Sequence, residues 1–140
     1  MEQPQSMVIA ESIACVVNET QEKLSALKAQ LALDRERLKA AREAVLVEAY
    51  HTKKRLCRLA AENTGLDAWR LEATAMEGRY PKVRSLVYWK MFTLGYDFET
   101  IGKAFGRRSD VSKSVGKINA KIKANSRMRY GAESIFQERQ

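Results

Sequence analysis

The residues of this chain best suited to chemistry are cations. Arg107, Arg108, Ser109, Ser112, Lys113, Lys117 and Lys121 fall close together, with Lys82 and Arg84 a short way upstream. An arginine at a groove edge can fork two N–H donors to guanine O6 and N7, discriminating between bases by about 1–3 kcal/mol. Lysines and hydroxyls hold phosphate oxygens. Lys113 and Lys117 lie one helical turn apart, so one is placed to reach a base and the other a phosphate; Lys121 and Lys123, further along, fit phosphates. The chemistry of this set is recognition of a polyanion, without bond making.

Bond-making chemistry finds no comparable support. The chain has no glycine-rich phosphate loop and no serine or cysteine nucleophile motif. His51, the single histidine, sits among helix-forming residues, and Glu72 and Glu77 read as helix-surface carboxylates. Cys15 and Cys57 are too far apart for a metal pair, so no metal site and no cofactor are expected. No apolar run approaches the roughly 20 residues that cross a bilayer. Met1 to Ser6 lack the basic start of a secretion signal. A cytoplasmic, nucleoid-associated protein with reduced thiols is the expectation.

The cations belong to one stretch. Residues 79–130 carry 13 Lys/Arg against 3 Asp/Glu, a net of +10, whereas residues 1–78 carry 11 against 12 and the last ten residues add −1. The formal charge of +8 is therefore confined to one part of the chain. Because neutralising phosphate drives most nucleic-acid affinity, this division predicts a binding head on a non-binding stalk.

Three helices must position the cations. The first is predicted over 81–94, opened by Pro81 and stopped by Gly95, with Val83, Leu86, Val87, Tyr88 and Met91 for a buried face. The second is short, 98–105, with Asp97 as N-cap and Gly106 as stop. After a tight turn, Ser109 is placed as N-cap of a third helix reaching Ala124. Its Val111, Val115, Ile118 and Ile122 share one narrow face, leaving Ser112, Lys113, Gly116, Lys117 and Lys121 outside. A short helix, a tight turn and a longer helix with a polar outer face suit the major groove. Tyr88, Trp89, Phe92 and Tyr96 have the spacing of core or docking residues more than that of a base-stacking platform.

These residues resemble a known family. Lys82-Val83-Arg84, Leu86 to Gly95 and Phe98-Glu99-Thr100-Ile101-Gly102-Lys103-Ala104-Phe105-Gly106-Arg107-Arg108 are similar to the C-terminal DNA-binding domain of the bacterial replication initiator DnaA. More broadly they resemble Trp-repressor-like helix-turn-helix domains. The resemblance covers residues 79–124 and carries none of the initiator's ATPase motifs. It implies that Lys82 or Arg84 reaches the minor groove or its phosphates, that Arg107 or Arg108 contacts backbone or guanine, and that the start of the third helix reads bases. Where the family has Arg-Asp-His-Ser/Thr, this chain has Arg108-Ser109-Asp110-Val111-Ser112, so its base-reading set differs.

Upstream, residues 18–63 contain neither Pro nor Gly, and a long helix is predicted. Leu24, Leu27, Leu31, Leu38, Ala41 and Val45 recur at alternating spacings of three and four, with Asp34 in one position of the seam. The stripe resumes out of phase at Ala49, Thr52, Leu56 and Leu59. Asn63-Thr64-Gly65 supplies the stop. A seam this narrow needs a partner helix. A homodimeric coiled coil through Leu24, Leu27, Leu31, Leu38, Val45 and Leu56 is the first expectation; folding back on the chain and pairing with another protein are the others. The opening apolar residues Val8, Ile9, Ile13, Val16 and Val17 either extend this helix or pack back as a hairpin arm. Lys53-Lys54-Arg55 with Arg58 reads as a solvated face, or as a second backbone contact. Residues 66–78 are expected to form a connecting helix whose Trp69 seats the stalk on the head, and residues 125–140 a polar tail with Ile135-Phe136 docking somewhere.

The whole is expected to be all-α: a stalk at 1–65, a connecting helix at 66–78, a helix-turn-helix at 79–124 and a tail at 125–140. The functional expectation is a double-stranded DNA-binding transcriptional regulator of bacterial or phage type, acting as a dimer and without a membrane. A replication-linked factor, a protein–protein adaptor with an incidental basic face, and a non-specific or single-strand binder are the alternatives.

Overall fold

A computed structural model describes residues 3–73, 75–106 and 110–138, with backbone alone for residues 3–7. It is all-helical, without strands among the described residues. A long first helix, α1 (Gln3–Thr64), is followed by α2 (Ala68–Glu72), α3 (Tyr80–Thr93), α4 (Phe98–Phe105), α5 (Val111–Ala124) and α6 (Arg127–Ser134). No described helix is long and apolar enough to cross a membrane. The chain divides into two units, residues 1–42 and 43–140.

The first unit is helix. The opening apolar segment extends α1 instead of returning as an arm, and every side chain from 8 to 45 is exposed. Leu24, Leu27, Leu31 and Leu38 are each at least half exposed, so their stripe is uncovered.

The second unit holds the core. Residues 43–64 of α1 contribute Ala49, Leu56, Cys57, Ala60 and Ala61 to one buried cluster with Leu71 of α2, Val83, Val87, Trp89 and Met91 of α3, Ile101 and Phe105 of α4, and Val111 and Val115 of α5. Burying the Leu, Val, Ile, Phe and Met side chains among these contributes roughly 1.5–3 kcal/mol each before chain entropy is counted. Gly65 ends α1 in the left-handed region, φ 75°, where a residue bearing Cβ is strained. Arg79 Nη2 donates to the Thr64 carbonyl at 2.8 Å, taking up one of the orphan acceptors there.

Several expectations are corrected in this unit. Leu56, assigned to the dimer seam, is 2% exposed inside the core and is not open to a partner. Trp69 is 64% exposed and seats nothing; Leu71, two residues on, fills that place. Lys53 is not on a solvated face: it is buried, and its Nζ donates to the Ala104 carbonyl at 3.0 Å. The stretch after Ala124 is no loose tail. It folds as α6, buries Ala132 and Phe136, and is tied down where Asn63 Nδ2 donates to the carbonyls of Ile135 and Gln137 at 2.8 and 2.9 Å. The expected docking of Ile135-Phe136 takes this form.

Candidate nucleic-acid interface

The α4–turn–α5 pair is built by local chemistry first. Asp97 caps α4 by accepting from the Thr100 amide at 2.7 Å, and this bond holds its carboxyl below the ordinary aspartate range. Gly106 closes the helix at φ 70°. Lys53 adds its charge at the same C-terminus, where the macrodipole is negative, and lies over the Phe105 ring at 5.3 Å. Phe105 meets Tyr88 edge to face, with centroids 4.8 Å apart. Tyr96 accepts from Thr52 and donates to Glu48, both at 3.0 Å, which fixes the α3–α4 turn against the end of α1.

α5 is then set on α3. Val111, Val115 and Ile118 are buried, and Trp89 Nε1 donates to Asn119 Oδ1 at 3.1 Å. The inner face read from the sequence is the one observed, and it leaves the outer face to solvent. Of the four aromatics, Tyr88 and Trp89 are core, Tyr96 is half-buried, and Phe92 stacks on Phe98 at 4.8 Å.

The structure sorts the 13 basic residues of 79–130 by what they touch. Four serve the fold. Arg79 caps α1. Lys90 pairs with Glu133 at 2.6 Å and Lys103 with Glu99 at 3.1 Å. Arg84 is 3% exposed, and its guanidinium donates to the carbonyls of Leu71, Arg70 and Ala75 at 3.0, 3.0 and 2.8 Å. Arg84 is therefore corrected from a groove contact to an internal clamp between α3 and the α2 segment. Arg107, Arg108 and Ser109 lie outside the described residues, and the N-cap position of α5 is held by Asp110.

Seven basic residues remain, all exposed and none in an ion pair among the described residues: Lys82 on α3, Lys113, Lys117, Lys121 and Lys123 on α5, and Arg127 and Arg129 on α6. Lys82, Lys117 and Lys121 come together around a cleft of about 170 Å³, whose floor is Leu86, Ile118 and Met128 and whose hydroxyls are Ser85 and Ser114. Lys113 and Ser112 continue the exposed face toward the start of α5, and Lys123 leaves on its other flank. α5 itself contains no acidic residue.

Sequence reasoning missed Met128 and Ser85 as members of this surface. Neither has a chemical signature; only the packing of α6 and α3 against α5 brings them to the lysines. Among the described residues no group of acidic, Cys and His side chains could hold a metal. Buried Cys57 has its thiol pushed up to about 12, chiefly by desolvation and next by the Glu72 charge, which suits a structural thiol and not a nucleophile. No protein-family model, curated protein or solved structure matches the chain.

Proposed function

We propose that this chain is a double-stranded DNA-binding protein that acts as a transcriptional regulator, placing α5 in the major groove and performing no chemistry on the DNA. The observation that carries the reading is the sorting of charge. Once the cations of residues 79–130 used by the fold are set aside, the remaining described ones stand on α5, the start of α3 and α6, with Lys82, Lys117 and Lys121 meeting at one cleft. A helix with an apolar inner face and a lysine-bearing outer face, held behind a capped short helix, suits backbone positioning by Lys82, Lys117 and Lys121 and base contact by Ser112 and Lys113.

A replication-linked role is the second reading, favoured by the resemblance of residues 79–124 to the initiator's DNA-binding module. The exposed stripe of α1 calls for a helical partner in either case. A second copy would present two heads to two half-sites; a helix of another protein would tether the head to that protein's business.

Titration of labelled duplex at several salt concentrations, with scrambled competitor, tests the reading. Three lysines on phosphates, Lys82, Lys117 and Lys121, give a log–log salt slope of about −2.7, at roughly −0.9 per contact. A selected site should bind about a thousandfold or more better than scrambled duplex. Equal affinity for both sequences defeats the regulator, and no binding at about 50 mM salt defeats DNA binding altogether.

A further inference from the structure

The stripe on the first unit carries information in the residues beside it. Following the heptads from Ile13 through Val17, Leu24, Leu27, Leu31 and Leu38, the helix is unbroken and every one of these side chains is exposed. The positions that border such a seam sit just before each a residue and just after each d residue. Between 21 and 42 they are Lys23, Gln30 and Arg37 on one border, and Gln21, Lys28, Arg35 and Arg42 on the other. Five are basic, two are glutamine and none is acidic. The acidic residues Glu22, Glu36 and Glu43 occupy the position diametrically opposite the seam.

Border charges decide partner and orientation in paired helices, and here they oppose self-pairing. A parallel second copy sets Lys23 against Lys28, Arg37 against Arg42, and Asp34 against its own equivalent within the seam. An antiparallel copy still matches border with like border, so basic meets basic again. A helix with acidic residues at its own borders meets the opposite situation at all five basic positions.

From this we infer that residues 13–42 dock an acidic-bordered amphipathic helix of another protein, laid along the Leu24–Leu27–Leu31–Leu38 seam. The inference is independent of the DNA reading, because it concerns a unit remote in sequence from α5 and is tested without DNA.

The experiment uses the full chain and two synthetic four-heptad peptides with leucine at both seam positions. One carries glutamate at every border position and the other lysine; the glutamate peptide repels itself and stays available. Sedimentation of the chain alone at micromolar concentration should show a monomer. Fluorescence anisotropy should show the glutamate peptide binding on the order of tenfold or more tighter than the lysine peptide, weakening with salt. Leu27→Asp with Leu31→Asp should abolish binding without lowering the melting temperature, since the core lies within residues 49–136. Lys28→Glu with Arg35→Glu and Arg37→Glu should invert the preference. A dimer of the chain alone that Leu27→Asp with Leu31→Asp dissolves would overturn the inference. So would equal affinity for the two peptides, binding of neither, or tighter seam-dependent binding to vesicles of anionic lipid than to the glutamate peptide.

Discussion

At the scale of single residues, the two cations at the start of α3 differ in everything but charge. Arg84 gives its donors to three backbone carbonyls inside the fold, whereas Lys82, two positions earlier, stands exposed at the cleft. Arg84→Ala leaves those acceptors buried without a partner and should lower unfolding stability by about 2–3 kcal/mol in chemical denaturation, with the DNA affinity of the folded protein unchanged. Lys82→Ala should do the reverse, shifting stability by less than about 0.5 kcal/mol while weakening DNA binding. The thiols separate in the same way. Cys15 is exposed and Cys57 buried, so a thiol reagent should find one fast and one slow group in the native chain. The Cys57 thiol, ordinarily near 9.0, is raised to about 12 in the fold, so its neutral form is favoured there. Its contribution is whole below pH 9.0 and is lost as pH rises from there toward 12; Cys57→Ala should flatten that alkaline decline in a melting-temperature profile against pH.

At the scale of elements, what could be read from the sequence is what neighbouring residues decide among themselves. Asp97 before Phe98, Gly106 after Phe105 and the Val111–Val115–Ile118 face are local arrangements, and the structure places each where the sequence puts it. The roles of Arg84, Lys53, Leu56 and Trp69 were not legible. Each depends on which element lies across the core, and a lysine capping α4 from fifty residues away has no local sign. α6 was hidden for the same reason: its polar sequence stays ordered through Asn63, Glu133 and the burial of Phe136. The α4 cap makes a checkable case. Asp97→Ala should cost about 1 kcal/mol. Because the Asp97 carboxyl is held below 3.8, the cap's charged form contributes above that value and is lost as pH falls beneath it, so the variant and the parent should converge in stability in acid. On α5, Lys117→Ala and Lys121→Ala should each make the salt slope shallower by about 1, whereas Lys113→Ala should relax the preference for the selected site, and all three should leave helicity by circular dichroism unchanged.

At the scale of the whole molecule, the two units divide structure and partnership. All of the buried cluster lies between residues 49 and 136, and residues 8–45 are exposed throughout, so the head does not need the first 42 residues for its core. A chain reduced to 43–140 should therefore unfold cooperatively with a midpoint within a few degrees of the parent. The same truncation asks how many heads act on one DNA. Two heads joined through α1 would bind their second half-site as an intramolecular event, and losing the joint would weaken overall affinity by about 10²–10⁴. The basic borders of the seam argue against that joint, because a second copy meets like charge in either direction. The expected outcome is that full-length and truncated chains bind the same selected duplex within about threefold of each other, with no sigmoidality and a footprint of about one helical turn. A large loss of affinity on truncation, restored when the head is fused to an unrelated dimerising helix, would show that the seam joins two copies after all. A small loss with an unchanged footprint leaves α1 to its acidic partner, and the head to a single DNA site.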